Sequence, residues 1–129
     1  MMKVERFEDL TIWKEARQLS LLVYRVTEID PFSKDFALEG QIRRSSGSLI
    51  DNIAEGFERG GNKELRQFLS IAKGSCGEVR SQCFRARDLN YLDEETFTKI
   101  TTFSITLSKQ IASFISYLSK SPYKGIKYK

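Results

Sequence analysis

The sequence predicts an all-α protein, an antiparallel up-down-up-down four-helix bundle, and three observations lead there. Apolar residues return at steps of three and four in four successive segments of the chain. Those segments have similar lengths, about 20–28 residues, with short connections that favour antiparallel neighbours. At about 1.5 Å of rise per residue each would span roughly 30–40 Å, a matched set. No stretch of strict alternation marks a strand, and no repeat or low-complexity segment interrupts the pattern. A chain of 129 residues suffices for one core and is too short for two, so residues 1–129 are read as a single domain. The expected helices cover about 9–28, 34–59, 63–89 and 94–119, with a basic tail over 120–129.

The first helix has Asp9 or Thr11 as a plausible N-cap, and Ile12, Ala16, Leu19, Val23 and Val26 as its core stripe. Trp13, Leu21 and Tyr24 spread the apolar surface sideways. Asp30-Pro31 stops it, because the residue before a proline leaves the helical region. Ser33 is the expected N-cap of the second helix, with Phe36 and Leu38 entering the core. The second helix is the centre of the pattern. Leu38, Ile42, Leu49, Ile53 and Phe57 form its apolar stripe, and Gln41, Arg44, Ser48, Asn52, Glu55 and Arg59 form a polar stripe of the same period. Short amides and hydroxyls beside opposite charges suit specific hydrogen bonds better than solvation. Gln41, Arg44, Ser48, Asn52 and Glu55 are therefore expected to form a structural polar network. Gly60-Gly61 ends the helix, where a glycine takes the left-handed conformation.

Asn62 is the expected cap of the third helix, and Leu65, Phe68, Leu69, Ala72, Cys76, Val79, Cys83 and Ala86 are its stripe. Gly74 and Gly77 sit mid-helix, each costing about 1 kcal/mol relative to alanine, which suggests close approach of another helix near Ser75 and Cys76. Asn90-Tyr91-Leu92 makes a turn, and Asp93, Glu94 and Glu95 open the fourth helix. Its stripe is Phe97, Ile100, Phe103, Leu107, Ile111, Phe114 and Leu118, and between Lys99 and Lys120 only Lys109 is charged. So little charge suggests cover on more than one side.

The 21 basic and 17 acidic residues leave +4, a mild excess that permits a nucleic-acid partner without requiring one. No apolar run reaches the roughly 20 residues of a membrane span and no signal-peptide pattern opens the chain, so a cytoplasmic protein with no membrane partner is expected. Cys76 and Cys83 lie seven apart on one helix, roughly 10 Å along its axis, beyond disulfide reach. The chain has no histidine, which removes Ser-His-Asp and Cys-His arrangements and the histidine-bearing metal sites. Carboxylate-only metal binding by Glu55 and Glu78 is conceivable, but a glutamate paired with Arg44 or Arg59 is the commoner arrangement. No catalytic residue, metal or cofactor is expected.

Four cations on the third helix stand at strict seven-residue spacing: Arg66, Lys73, Arg80 and Arg87. With Lys124 and Lys127 of the tail, they are the candidate contacts to a phosphate backbone. A row of charge on a helix is ordinarily a solvated face; the lack of interspersed acids on this one favours binding. Arg43 and Arg44, with Asp51 and Glu55, are expected to pair within or between subunits. Phe68, Phe84, Phe97, Phe103 and Phe114 read as core, while Trp13 and Tyr24 could cover a neighbouring subunit.

Several segments resemble the four-helix bundle proteins encoded within intervening sequences of bacterial 23S ribosomal RNA genes. They are FEDLTIWKEA at 7–16, the series Gln41, Arg43, Arg44, Ser48, Asn52, Ile53, Ala54, Glu55 and Gly56, AKGSCGEV at 72–79, and NYL at 90–92. The resemblance implies a bundle assembled into a ring-like homopentamer, with Arg44, Asn52 and Glu55 at the family's shared polar positions and no catalytic residue. Glu58 stands where the family often has a small residue. The accessory variability determinant of diversity-generating retroelements looks similar, and there a basic pentamer binds nucleic acid and a reverse transcriptase.

Two readings follow for a non-enzymatic homo-oligomer. The first binds structured RNA or DNA through the third helix and the tail, and is weakened by charge reversal at Arg80 and Arg87. The second is an assembly or adaptor module whose partner is a reverse transcriptase or another protein, met by the fourth helix and the Trp13 edge. Enzymatic activity is the least expected.

Overall fold

The computed structural model describes residues 4–122. Four long helices follow one another: α1 (Thr11–Thr27), α2 (Phe36–Glu58), α3 (Asn62–Asp88) and α4 (Glu94–Lys120), with single 3-10 turns at Phe7–Asp9 and Phe32–Lys34. No strand occurs among the described residues. Contacts across each seam run in opposite directions. Gln41 meets Arg85 and Ser48 meets Ser75 between α2 and α3, and Asn62 meets Leu118 and Cys76 meets Ser104 between α3 and α4. This is the expected four-helix bundle. The tail residues Lys124 and Lys127 lie outside the described residues.

The stripes read from the sequence fill the core. Leu19, Val23, Ile42, Leu49, Ile53, Leu65, Leu69, Ile100, Leu107 and Ile111 are fully buried, and burial of each such aliphatic side chain contributes about 1.5–3 kcal/mol. Phe57, Cys76 and Cys83 join them. The packing is uneven around the bundle: α2–α3 and α3–α4 are broad seams, α1–α4 the slimmest.

The caps correct three expectations. Leu10, not Asp9 or Thr11, holds the N-cap position of α1 with no side-chain bond there, and the Asp9 carboxylate pairs instead with Arg6 at 3.1 Å. Asp35, not Ser33, caps α2, its Oδ1 accepting a 3.1 Å bond from the Leu38 N–H. Ser33 falls within the preceding 3-10 turn, one turn too early, and Phe36, at 79% exposure, points away from the core. The core residue of this connection is Phe32, stacked on Tyr91, whose hydroxyl donates to Asp35 Oδ2. The Leu38 N–H first, and then the Tyr91 hydroxyl, hold the Asp35 carboxyl below its usual range. Nor is Asn62 a cap. Gly61 takes that position, while Asn62 is buried, donates to the Leu118 carbonyl and accepts from Arg66. With the Leu118 carbonyl in reach, the Asn62 amide bridges two helices instead of closing one.

The other boundaries follow the sequence. Gly60 takes φ 82° after α2. Asn90 takes φ 62° after α3, with the Asn90 N–H on the Arg87 carbonyl and the Tyr91 N–H on the Ala86 carbonyl, a Schellman closure. Asp93 caps α4 through a 2.7 Å bond from the Thr96 N–H.

The mid-helix glycines are a further correction. A Cβ at Gly74 or Gly77 would meet nothing within 4 Å, so no helix of the same chain approaches there. The close approach is at Gly56, where an added Cβ would lie 2.6 Å from Phe68 Cβ. Within the chain α4 is covered on one side only, since Thr98, Thr102, Ile105, Thr106, Lys109 and Tyr117 are exposed. Phe84, expected in the core, is 45% exposed because it lies at the α3–α4 rim, edge-on against Phe97.

Candidate nucleic-acid interface

The cation row runs along the flank of α3 that faces α4. The direction is fixed by the bonds at its two ends, Asn62 to Leu118 and Arg87 to Glu94, with Cys76 on Ser104 between them. Over 21 residues, Arg66 to Arg87, the row extends roughly 30 Å. Its four members are not equivalent. Arg66 donates a 2.8 Å bond from Nε to the buried Asn62 Oδ1, which fixes it at the last turn of α4. Arg87 lies over Phe97 and Phe84, 4.1 and 5.3 Å from their ring centroids, and pairs weakly with Glu94 at 3.9 Å. Lys73 and Arg80 are exposed and make no ion pair or hydrogen bond with another described residue.

Beyond Glu94 and Glu95 in its first turn, the neighbouring helix adds no opposing charge. From Thr96 to Lys120 α4 contains no acid and carries Lys99, Lys109 and Lys120. Field from Lys73 and Arg80 is therefore not cancelled across the seam. It reaches inward to Cys76, whose thiol burial nonetheless pushes up to about 11; burial pushes Cys83 to about 12 against the opposing pull of Arg87. Both thiols are free and buried, unsuited to nucleophilic work.

The α2 polar stripe faces the other flank of α3. Ser48 and Ser75 share a 2.9 Å hydroxyl contact, and Asn52 Nδ2 donates to the Ser48 carbonyl and hydroxyl at 2.8 and 3.0 Å. Gln41 Oε1 accepts from Arg85 Nη1 at 2.8 Å. Glu55 pairs with Arg59 at 3.1 Å on the same helix and so stands outside the network. Arg44 joins no pair with a described residue; its guanidinium folds back over Gly40. Arg43 belongs to the α1–α2 seam, bonded to Thr27, paired with Glu39 and stacked on Tyr24. The α3 partners Ser75 and Arg85 escaped the sequence reading. Their signal is a polar line at steps of three and four, overshadowed there by the cation row.

No cluster of three acidic or cysteine side chains able to hold a metal occurs among the described residues, and no helix among them is long and apolar enough to cross a membrane. Along the slim α1–α4 seam lie two shallow apolar depressions of about 420 and 440 Å3, the first against Leu10, Ile12 and Phe114, the second against Phe103 and Leu107.

A crystal structure of a protein of unknown function from the S23 ribosomal protein family of Bacteroides thetaiotaomicron superimposes with a TM-score of 0.74 and 21% identity, covering 81% of this chain and 98% of that one. That likeness establishes the fold. No curated protein matches the sequence. The sequence model of the family described as 23S rRNA-intervening sequence protein matches residues 8–113. The chain therefore belongs to the 23S rRNA-intervening sequence protein family.

Proposed function

We propose that the protein is a non-enzymatic, oligomeric bundle that binds the phosphate backbone of structured RNA or DNA through the α3–α4 face. One observation carries this reading: Lys73 and Arg80 stand exposed and unpaired among the described residues, beside a helix without an acid from Thr96 to Lys120. Cations with no local counter-charge are what phosphate contacts require. Arg66 and Arg87 flank the pair and add charge, although each is engaged inside the chain. The absence of histidine from the sequence supports a binding role over a catalytic one. The family's name connects it with 23S ribosomal RNA, so an RNA hairpin is the first ligand to try. Filter binding at low salt tests the reading. Retention of a hairpin or duplex by the wild type, reduced by charge reversal at Lys73 and Arg80, supports it; no retention refutes it.

A second reading, a protein-binding adaptor, is favoured by the apolar depressions of the α1–α4 seam. It expects partner capture to survive those same reversals and to fail on Phe103→Asp or Phe114→Asp.

A further inference from the structure

The outer ridge of α4 is built from residues that seldom share an exposed helix face. Thr98, Thr102, Thr106, Lys109, Ser113 and Ser116 follow one another at steps of three and four, and all are exposed. Threonine is a poor helix former, and an ordinary solvent face is richer in charge. This ridge has no acid. Its hydroxyls are also free. The buried Thr101 and Ser104 turn theirs back onto the carbonyls of Phe97 and Ile100, at 2.9 and 2.8 Å, whereas no hydroxyl of the ridge bonds another described residue. Glu15 of α1 borders the ridge together with Lys99.

The ridge stands beside the unpaired cations of α3. Leu118 lies level with Asn62, Ser104 with Cys76 and Glu94 with Arg87, so α4 descends as α3 rises. Thr98 and Thr102 therefore run alongside the stretch between Cys76 and Arg87, which holds Arg80. Thr106 runs alongside the turn before Cys76, which holds Lys73.

We infer that the ligand of this face is double-stranded RNA, with the α4 ridge laid against its minor groove; the inference rests on the phosphate-binding reading above. The minor groove of an A-form duplex is wide and shallow and displays 2′-hydroxyls. A helix with its side chains is about 10 Å across, whereas the minor groove of B-form DNA is only about 6 Å wide. The ridge meets the first groove and is kept out of the second. A hydroxyl both donates and accepts, so a threonine answers a 2′-hydroxyl whichever way that group points. Lys73 and Arg80, one helix away, take phosphates of the strand that borders the groove. DNA offers those phosphates but no 2′ partner. The cations thus supply affinity for either nucleic acid, and Thr98, Thr102 and Thr106 supply the choice of RNA. Three hydrogen bonds of ordinary net strength amount to about tenfold or more in affinity.

Fluorescence anisotropy of the full chain at low salt tests this, with an RNA duplex, a DNA duplex of the same sequence and one RNA strand left unpaired. The variant is the combined Thr98→Val, Thr102→Val, Thr106→Val, which keeps side-chain shape and removes the hydroxyls; circular dichroism confirms that it stays helical. The wild type is expected to bind the RNA duplex about tenfold or more tighter than the DNA duplex. The variant is expected to bind both with the wild type's DNA affinity and with an unchanged dependence on salt. A 2′-O-methyl RNA duplex reads the same contact from the ligand's side without altering the protein, and its affinity should fall to near that of DNA. Equal affinity of the wild type for the RNA and DNA duplexes would overturn the inference while leaving the phosphate-binding reading intact. So would tighter binding of the unpaired strand, a helical variant that keeps the full RNA preference, or undiminished binding of the 2′-O-methyl duplex. Failure to bind either duplex would defeat the phosphate-binding reading itself, and this inference with it.

Discussion

The Arg87 guanidinium lies over the Phe97 ring, 4.1 Å from its centroid, and 5.3 Å from that of Phe84 beside it. A residue that looks from its spacing like the fourth member of a binding row is thus committed to joining α3 to α4. Cation–π contact of this partly exposed kind stabilises by about 0.5–1 kcal/mol. Arg87→Ala is expected to lower unfolding stability by about 1 kcal/mol in urea titration while changing nucleic-acid affinity less than Lys73→Ala or Arg80→Ala. Equal losses of affinity at all three positions would contradict this division of roles.

Asn62 holds α4's last turn through the Leu118 carbonyl and steadies Arg66 at the same time. Removing the amide leaves buried polar groups unsatisfied, at a cost of about 1–3 kcal/mol. Asn62→Ala should show that loss in denaturant unfolding, with faster hydrogen exchange in the last turn of α4. A stability within about 0.5 kcal/mol of wild type would show the bridge to be incidental.

The glycines divide by their surroundings. At Gly56 an added methyl collides with Phe68 Cβ, and overpacking of this kind costs about 1–3 kcal/mol. At Gly77 an added methyl meets nothing of the same chain, and alanine gains up to about 1 kcal/mol in helix propensity. Gly56→Ala should therefore lower the melting temperature and Gly77→Ala raise it. The opposite order would mean that the α2–α3 crossing is looser than described.

The buried thiols predict a stability loss in base. Burial raises Cys76 to about 11 and Cys83 to about 12 in the folded chain, above their unfolded value of 9.0. Their stabilising effect is complete below that unfolded value and is lost as pH rises through the folded ones. In the window between, each contributes a slope of up to about 1.4 kcal/mol per pH unit, because the unfolded chain has released a proton that the folded chain keeps. Unfolding free energy followed from pH 8 to 11 should fall less steeply for the Cys76→Ala, Cys83→Ala double variant than for wild type. Parallel curves would show that the thiols titrate freely in the folded state.

Much of the fold was legible because its signal is periodic. Every member of the α1 stripe from Ile12 to Val26 is buried, as is the α2 stripe from Leu38 to Phe57. What escaped was decided by neighbours distant in sequence. Ser33 and Asn62 are both good capping residues, yet Asp35 and Gly61 occupy the cap positions, and Tyr91 and Leu118 determine what the side chains do. The candidate interface was half legible. Spacing aligned Arg66, Lys73, Arg80 and Arg87 but could not tell that Phe97 and Asn62 engage the outer two. Likewise the α2 stripe named Gln41 and Ser48, while their α3 counterparts Arg85 and Ser75 became visible only when the two helices were placed side by side.

The dependence of nucleic-acid affinity on salt tests the central claim most directly. An RNA hairpin and a DNA duplex of the same stem are titrated across a range of salt concentrations with the wild type and the Lys73→Glu, Arg80→Glu double variant. Each phosphate contact contributes about 0.9 to the slope of log affinity against log salt. The account predicts linear loss of affinity with salt for the wild type, and a slope shallower by roughly 2 per bound chain for the variant. Identical slopes for the two proteins, or no binding by the wild type at low salt, would contradict it.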